Sequence, residues 1–449
     1  MKQRRVHDTV RRGVSFGTVL MTVLTMVVIG VSAAVFPRLL DAGEYTLSIG
    51  DVSVLSLDRS MPELAMQEIP IVAITPVPEV TPIPDDARPA ATSTPAPTVT
   101  PVPGGKVTLT IGGSVNIDDA VRKSAYYSEA GKYDFTEIMA LLDEELESDI
   151  ALVTLENVTQ DADKVSTVNA PSVVMDMLAD AGFDMVVLGY SKAMDKGLDG
   201  LKATMAAARE RDLIPLGVYD NELESKDFCI VTVDQVRVAF LHYTESVSST
   251  GKKAIASEAA AYALPTILVN GTEDAMLADV RAAKEQADIV IVSLNWGTVS
   301  ASKPTGAQQE LAQKIADAGA NVIVGAGSRV VQPVAWLTVK EEDGTIRQTL
   351  CAWSLGSLLN ESRKDGNVLG MLLQLQLAYD GDSISFEKVC YTPTYIWRYK
   401  QDGKDQYRIV ASDQLPPDGM ADDQIGYMEK ALRNLQKYLG DSPVTPRDK

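Results

Sequence analysis

From Lys106 onward the chain alternates short apolar, β-branched runs with longer stretches whose apolar residues recur every three or four positions. The short runs predict strands at "VTLTIGG" (107–113), "IALVTLE" (150–156), "DMVVLGY" (184–190), "LIPLGVY" (213–219), "VRVAFLHYT" (236–244), "DIVIVSLNWG" (288–297) and "NVIVGAG" (321–327). Between several of them the spacing predicts helices over Phe135–Glu147, Ala170–Ala181, Leu198–Arg211, Thr272–Gln286 and Gly306–Ala318. This alternation implies an α/β fold with a largely parallel, layered sheet and flanking helices, and ligands at the C-terminal ends of its strands. After Val334 the pattern changes to strands of mixed register, "VAWLTVK", "QTLCAWSLGS", "LGMLLQLQLAY" and "SISFEKVCYTP", with hairpin turns at "EEDGT" and "DGDS". These read as extra strands added to the same sheet system. A last amphipathic helix, about 421–439, puts Ile425, Met428, Leu432, Leu435 and Leu439 on one face and ends at Gly440.

The first 105 residues follow other patterns. Residues 1–13 form a basic tip with Lys2, Arg4, Arg5, Arg11 and Arg12, and residues 14–36 contain no charge. As a helix that run reaches about 34 Å, enough to cross a bilayer core of roughly 30 Å. The basic flank places the N-terminus in the cytoplasm and the main domain outside the cell membrane, as a single-pass protein. A cleaved secretory signal, with small residues at Ser32, Ala33 and Ala34, is the competing reading. Its apolar core normally runs ~7 to 15 residues, which favours the uncleaved anchor. Residues 37–67 carry weak strand character in "YTLSIGDVSVLSLD" and receive no role. Residues 68–105 are a Pro- and Thr-rich stalk, which favours an extended polyproline-type chain reaching roughly 100 Å. One globular domain, 106–449, follows.

Charge narrows the partners. Of 41 basic and 61 acidic residues, five and one precede residue 37, so the remainder carries 36 and 60, a net charge of −24. Such a body repels nucleic acid, and no nucleic-acid role is expected. Three cysteines, Cys229, Cys351 and Cys390, are too few for a disulfide framework. Cys351 and Cys390 either pair outside the cell or stay as buried thiols.

The strand ends carry a resemblance. In order, "TLTIGGSVN", "LVTLEN", "AGFDMVVLGYSKAMDKGLDGL", "ADIVIVSLNWG", "AGANVIVGAGSRVVQPV" and "WSLGSLL" resemble the bacterial capsule-synthesis CapA family, the poly-γ-glutamate biosynthesis proteins, over roughly Lys106 to Pro393. The resemblance implies a sheet sandwich of the calcineurin-type metallophosphatase kind, with divalent metals held at the strand ends. At those positions this chain departs from the family. A GDxM motif has Gly113 in place of its aspartate. An ANNHxxDxG motif becomes Gly189, Tyr190, Ser191, Lys192, Ala193, Met194, Asp195, Lys196, Gly197. HWG becomes Asn295, Trp296, Gly297, and GHHPH becomes Gly325, Ala326, Gly327, Ser328, Arg329. Only the NLE-type motif keeps its acid, Glu156, beside Asn157.

Two divalent metals need imidazole and carboxylate ligands converging from several loops. Beyond the anchor the chain has one imidazole, His242, and a lysine in a ligand's place opposes a cation. No metal or other cofactor is therefore expected. His242, in "VAFLHYT", reads as a hydrogen-bonded core or strand-end residue, because buried polar groups find partners. Trp296 reads as packing, and Asp195 and Gly197 as turn residues. Glu156 is either a brace for a loop or the one candidate catalytic acid.

Ser191, Lys192, Asn295 and Arg329 form the sharper candidate. From three strand-end loops they would receive a carboxylate or phosphate in one pocket. The alternative is that Lys192 and Arg329 pair with Glu156 or other acids and fill space left by metals. No G-x-S-x-G elbow, P-loop, H-E-x-x-H helix or G-x-G-x-x-G fingerprint is present. The resemblance implies a role in making, exporting or anchoring a surface polymer such as poly-γ-glutamate. This chain would serve as a non-catalytic binding or scaffolding member, contacting an anionic surface polymer and membrane-embedded synthase subunits. The alternatives are a hydrolase or transpeptidase-like enzyme working through Glu156 and Lys192, with or without a metal, and a purely structural surface protein.

Overall fold

The computed structural model describes residues 46–49, 52–56, 104–161, 169–257, 260–269, 272–411 and 416–447. The expected anchor at 14–36 and nearly all of the stalk lie outside the described residues. Among the described residues no helix is long and apolar enough to cross a membrane. Within 37–67, Thr46–Ile49 and Val52–Ser56 form an antiparallel hairpin, which accounts for the strand character there. It belongs to a compact unit of its own, separate from residues 95–449.

Among the described residues the larger unit contains two large sheets and two small two-stranded ones. The first runs Ile214–Leu216, Met185–Val187, Ile150–Leu155, Gly105–Val115, Leu369–Tyr379, Ile384–Gln401, Lys404–Ala411 across its width. Its first four strands are parallel and the rest antiparallel. The second runs Cys229–Val233, Val236–Thr244, Ile289–Asn295, Val322–Ala326, Ile346–Ala352, Val334–Lys340. Its four central strands are parallel and both edges antiparallel.

Side-chain alternation explains why these runs are apolar throughout. In Ile150–Leu155, Ile150 and Leu152 enter the core between the sheets, whereas Ala151, Val153 and Leu155 enter the core beneath the outer helices. Ile289 and Ile291 face the first sheet, and Val290, Val292 and Leu294 face the helices Glu273–Gln286 and Gly306–Asp317. A strand covered on both faces needs apolar residues at every position. The result is helix, sheet, sheet, helix in four layers.

Two details differ from the sequence expectation. The helix expected over Phe135–Glu147 is a single turn, Thr136–Met139, and a 3₁₀ turn, Asp143–Glu145. Glu145 is drawn inward, where its Oε2 accepts from Thr392 Oγ1 at 2.9 Å and Arg447 Nη1 at 2.6 Å, and this tertiary pairing outweighs helix propensity. The strands after Val334 divide between the sheets rather than extending one of them: Val334–Lys340 and Ile346–Ala352 join the second, and those from Ser357 onward join the first. The expected hairpins at "EEDGT" and "DGDS" form. Cys351 and Cys390 form no disulfide with each other, because one is buried in each sheet. The C-terminal helix, Asp422–Leu439, ends at Gly440 with φ +58° and inserts Ala431, Leu435 and Leu439 against the inter-sheet core.

Candidate functional site

The parallel strands of both sheets end at one rim, and the residues after them line a cavity of about 340 Å³. Asn116 and Asp118 follow Gly105–Val115, Glu156 and Asn157 follow Ile150–Leu155, and Tyr190, Ser191 and Lys192 follow Met185–Val187. From the second sheet come Glu245 and Ser246, then Asn295 to Gly297, then Gly327 and Arg329. Strand-end convergence of this kind is where α/β folds place ligands.

Glu156 is the centre of a closed network. Its side chain is 6% exposed, and Oε2 accepts from Arg329 Nη2 at 3.0 Å and Nε at 3.1 Å. Oε1 accepts from Asn295 Nδ2 at 3.2 Å. Arg329 Nη2 also donates to Asn116 Oδ1. The arginine holds φ +59°, a conformation that side chains rarely adopt, and its carbonyl is gripped by Asn367 Nδ2 and Ser357 Oγ. Four candidates thus separate into two roles. Arg329 and Asn295 are turned onto Glu156, while Ser191 lies at the rim and Lys192 is exposed, with no ion pair among the described residues.

Gly113 and Ala326 do not line the cavity. Gly113 sits at a register shift in its strand, with the carbonyl of Gly356 2.6 Å from where a Cβ would stand. An aspartate there would meet backbone. Ala326 receives Trp296 N through its carbonyl at 3.0 Å, and Gly327 holds φ +105° beneath Trp296. Trp296 stacks on Trp353 and donates its Nε1 to the carbonyl of that residue at 3.1 Å. Asp195 accepts from Ser248 Oγ and helps pin the loop, since Ser248 N donates to the carbonyl of Ser191 at 2.7 Å.

Tyr190 is 5% exposed, and burial raises its hydroxyl well above the usual range. Burial also raises Asp118, against the opposing pull of the Glu361 N–H and Arg329. Motif order does not single out Asp118, Asn116, Glu245 or Ser246; the one signal they carry in the sequence is that of a polar residue directly after a parallel strand.

A two-metal centre does not fit this donor set. Both oxygens of Glu156 are engaged by Arg329 and Asn295, Glu245 Oε2 accepts from Gly297 N at 2.7 Å, and Asp118 Oδ2 accepts from Glu361 N at 3.2 Å. Among the described residues no group of three or more His, Cys, Asp or Glu is placed to hold a metal.

His242 lies outside the cavity. It is 2% exposed, its Nδ1 shares a hydrogen bond of 3.0 Å with Ser293 Oγ, and its ring packs on Gly189 and Gly217. Burial pulls it down to about 3 from the usual 6.5. The folded state therefore holds a neutral imidazole, and its contribution is complete above pH 6.5 and lost as pH falls toward 3. By pH 5 the loss from this group is about 2 kcal/mol. Urea titrations at pH 7.5 and 5 should show His242→Asn losing about 2 kcal/mol less than the parent protein over that interval. Equal losses in the two proteins would remove His242 as a source of acid lability.

The family model described as bacterial capsule synthesis protein PGA_cap matches residues 108–362. The chain is 28% identical over 229 residues to the capsule biosynthesis protein CapA of Bacillus anthracis, covering 50% of this chain and 52% of that protein. It is 28% identical over 183 residues to the PGA biosynthesis protein CapA of Bacillus subtilis (strain 168), covering 40% and 46%. The matched region spans about half the length of these relatives. Among solved structures it is similar to a Mycoplasma pneumoniae phosphatase (TM-score 0.37, 12% identity, 64% of this chain and 93% of that one). It is also similar to the Haemophilus influenzae NAD nucleotidase (TM-score 0.39, 13% identity, 77% and 58%).

Proposed function

The chain belongs to the bacterial capsule synthesis protein family PGA_cap, and from that membership we propose a non-catalytic, membrane-anchored, extracytoplasmic member that binds an anionic surface polymer during its assembly or export. The observation that carries this reading is the closed pairing of Glu156 with Arg329 and Asn295. The acid at the position the family keeps is committed to an arginine, and an ion-paired carboxylate is a poor base and a poor metal ligand. Beside it Lys192 is exposed, in a body of net charge −24 beyond the anchor, and Ser191 adjoins it with a hydroxyl. The lining sets three acids, Asp118, Glu156 and Glu245, against Arg329 and Lys192, and a carboxylate would be received by Lys192, the cation with no ion pair among the described residues. The synthase that such a polymer requires is the partner expected at the membrane.

The test uses the full-length protein in detergent. After incubation with Mn²⁺ and Zn²⁺ and desalting, elemental analysis should find no stoichiometric metal. Calorimetric titration with poly-γ-glutamate should show salt-sensitive binding, weakened roughly fivefold by Lys192→Ala, the order of one exposed ion pair. One or two retained metals per chain would defeat the non-catalytic reading, and binding indifferent to both salt and Lys192 would defeat the anion-binding reading.

A further inference from the structure

A second cavity, about 560 Å³, opens between the hairpin of Ile384–Gln401 and Lys404–Ala411, the loop at 362–368 and the helix Asp422–Leu439. Its walls come from residues 362–434, whereas the family match ends at 362. The volume lies in the range of small-ligand sites, roughly 300 to 1,000 Å³.

Its chemistry differs from that of the strand-end pocket. Tyr399 and Tyr427 line it, the latter 65% exposed, and Tyr399 is held by stacking on Trp397 at 4.3 Å between centroids. Three of the four cations on its wall face acids, and Arg363 has no ion pair among the described residues. Arg398 and Lys400 both pair with Asp405, and Lys430 lies 3.8 Å from Asp365. A polyanion would have to compete with those acids. Two buried wall atoms, Arg398 Nε and the hydroxyl of Tyr407, have no hydrogen-bond partner, and Tyr407 is 3% exposed. Orphaned buried polar atoms are uncommon and costly.

The geometry points to a saccharide-binding site that takes a short, uncharged oligosaccharide of about two to three rings. The apolar faces of the sugar rings lie on Tyr427 and Tyr399, and the hydroxyls meet Arg363, Asp423 and Asn434, which supply donors and acceptors of both kinds. The site shares no lining residue with the strand-end pocket.

Full-length protein in a zwitterionic detergent without a sugar head group is titrated calorimetrically with maltotriose, cellotriose and chitotriose, and with poly-γ-glutamate for comparison. At least one trisaccharide should bind with a millimolar or tighter Kd. Tyr427→Ala and Arg363→Ala, both at exposed positions that leave the core intact, should each weaken it about tenfold. Ile346→Ala, on a hairpin of the other sheet, should leave it unchanged. Absence of binding by all three trisaccharides overturns the proposal. So does trisaccharide binding that survives both Tyr427→Ala and Arg363→Ala, or poly-γ-glutamate binding that Arg363→Ala abolishes while no trisaccharide responds.

Discussion

Replacing Arg329 with alanine is expected to lower the unfolding free energy of the domain by about 3 kcal/mol. The substitution leaves the Glu156 carboxylate, 6% exposed, with Asn295 as its remaining donor and strands the amide of Asn116. Breaking one side of a buried pair costs about 3–5 kcal/mol, and the lower end applies because Arg329 is itself 30% exposed. Removing both charges is far milder. The double variant Glu156→Gln with Arg329→Ala should recover a large part of the loss, giving a coupling of at least about 1 kcal/mol in a double-mutant cycle. The backbone adds a second signature. Because residue 329 holds φ +59°, Arg329→Gly should lose about 1 kcal/mol less than Arg329→Ala. Urea denaturation at neutral pH measures all of these proteins. Additive losses for Glu156→Gln and Arg329→Ala would mean that the two side chains do not support each other, and the closed network would have to be abandoned.

Gly325→Ala should be at least as damaging, at about 3 kcal/mol or more, for a steric reason. A Cβ at residue 325 would overlap the carbonyl oxygen of Trp353 and Nε1 of Trp296, the two atoms joined by the 3.1 Å hydrogen bond that ties the Trp296 loop to the second sheet. Overpacking a buried site typically costs about 1–3 kcal/mol, and here backbone must also move. Gly306→Ala is the control. That glycine opens a helix, and nothing lies within 4 Å of the point where its Cβ would stand, so the change should be neutral or stabilising by up to about 1 kcal/mol. If Gly325→Ala unfolds within about 0.5 kcal/mol of the parent, the range of an ordinary surface change, the Trp296–Trp353 contact is far softer than its geometry implies.

Much of the fold is legible in the sequence because it rests on local patterns. The run "IALVTLE" is apolar at every position because alternate residues serve two cores, and its strand, Ile150–Leu155, falls where expected. The helix Gly306–Asp317 begins where Thr305 and Gln308 form a capping box, a signal four residues long. The short helix Ser249–Ser257 is not among the expected elements. Only two of its residues, Gly251 and Ile255, are buried, so it carries no apolar stripe to read. The edge strand Cys229–Val233 is absent from the expectation as well, since it is half-exposed and is defined by its pairing with Val236–Thr244.

The site divides in the same way. The positions of Glu156, Ser191, Lys192, Asn295 and Arg329 at strand ends follow from periodicity and the order of motifs, because a strand's end is encoded within a few residues of itself. Which side chain answers which is not encoded locally. Arg329 reaches Glu156 across 173 residues of sequence and Asn295 reaches it across 139, through strands in different sheets. Such pairings depend on how two sheets face each other, and that is decided by the summed packing of their apolar faces rather than by any local signal. The cavity beside the C-terminal helix has the same origin. Its aromatic and charged residues lie in three separate segments, each ordinary as sequence, and become a site only where the helix closes over the hairpin.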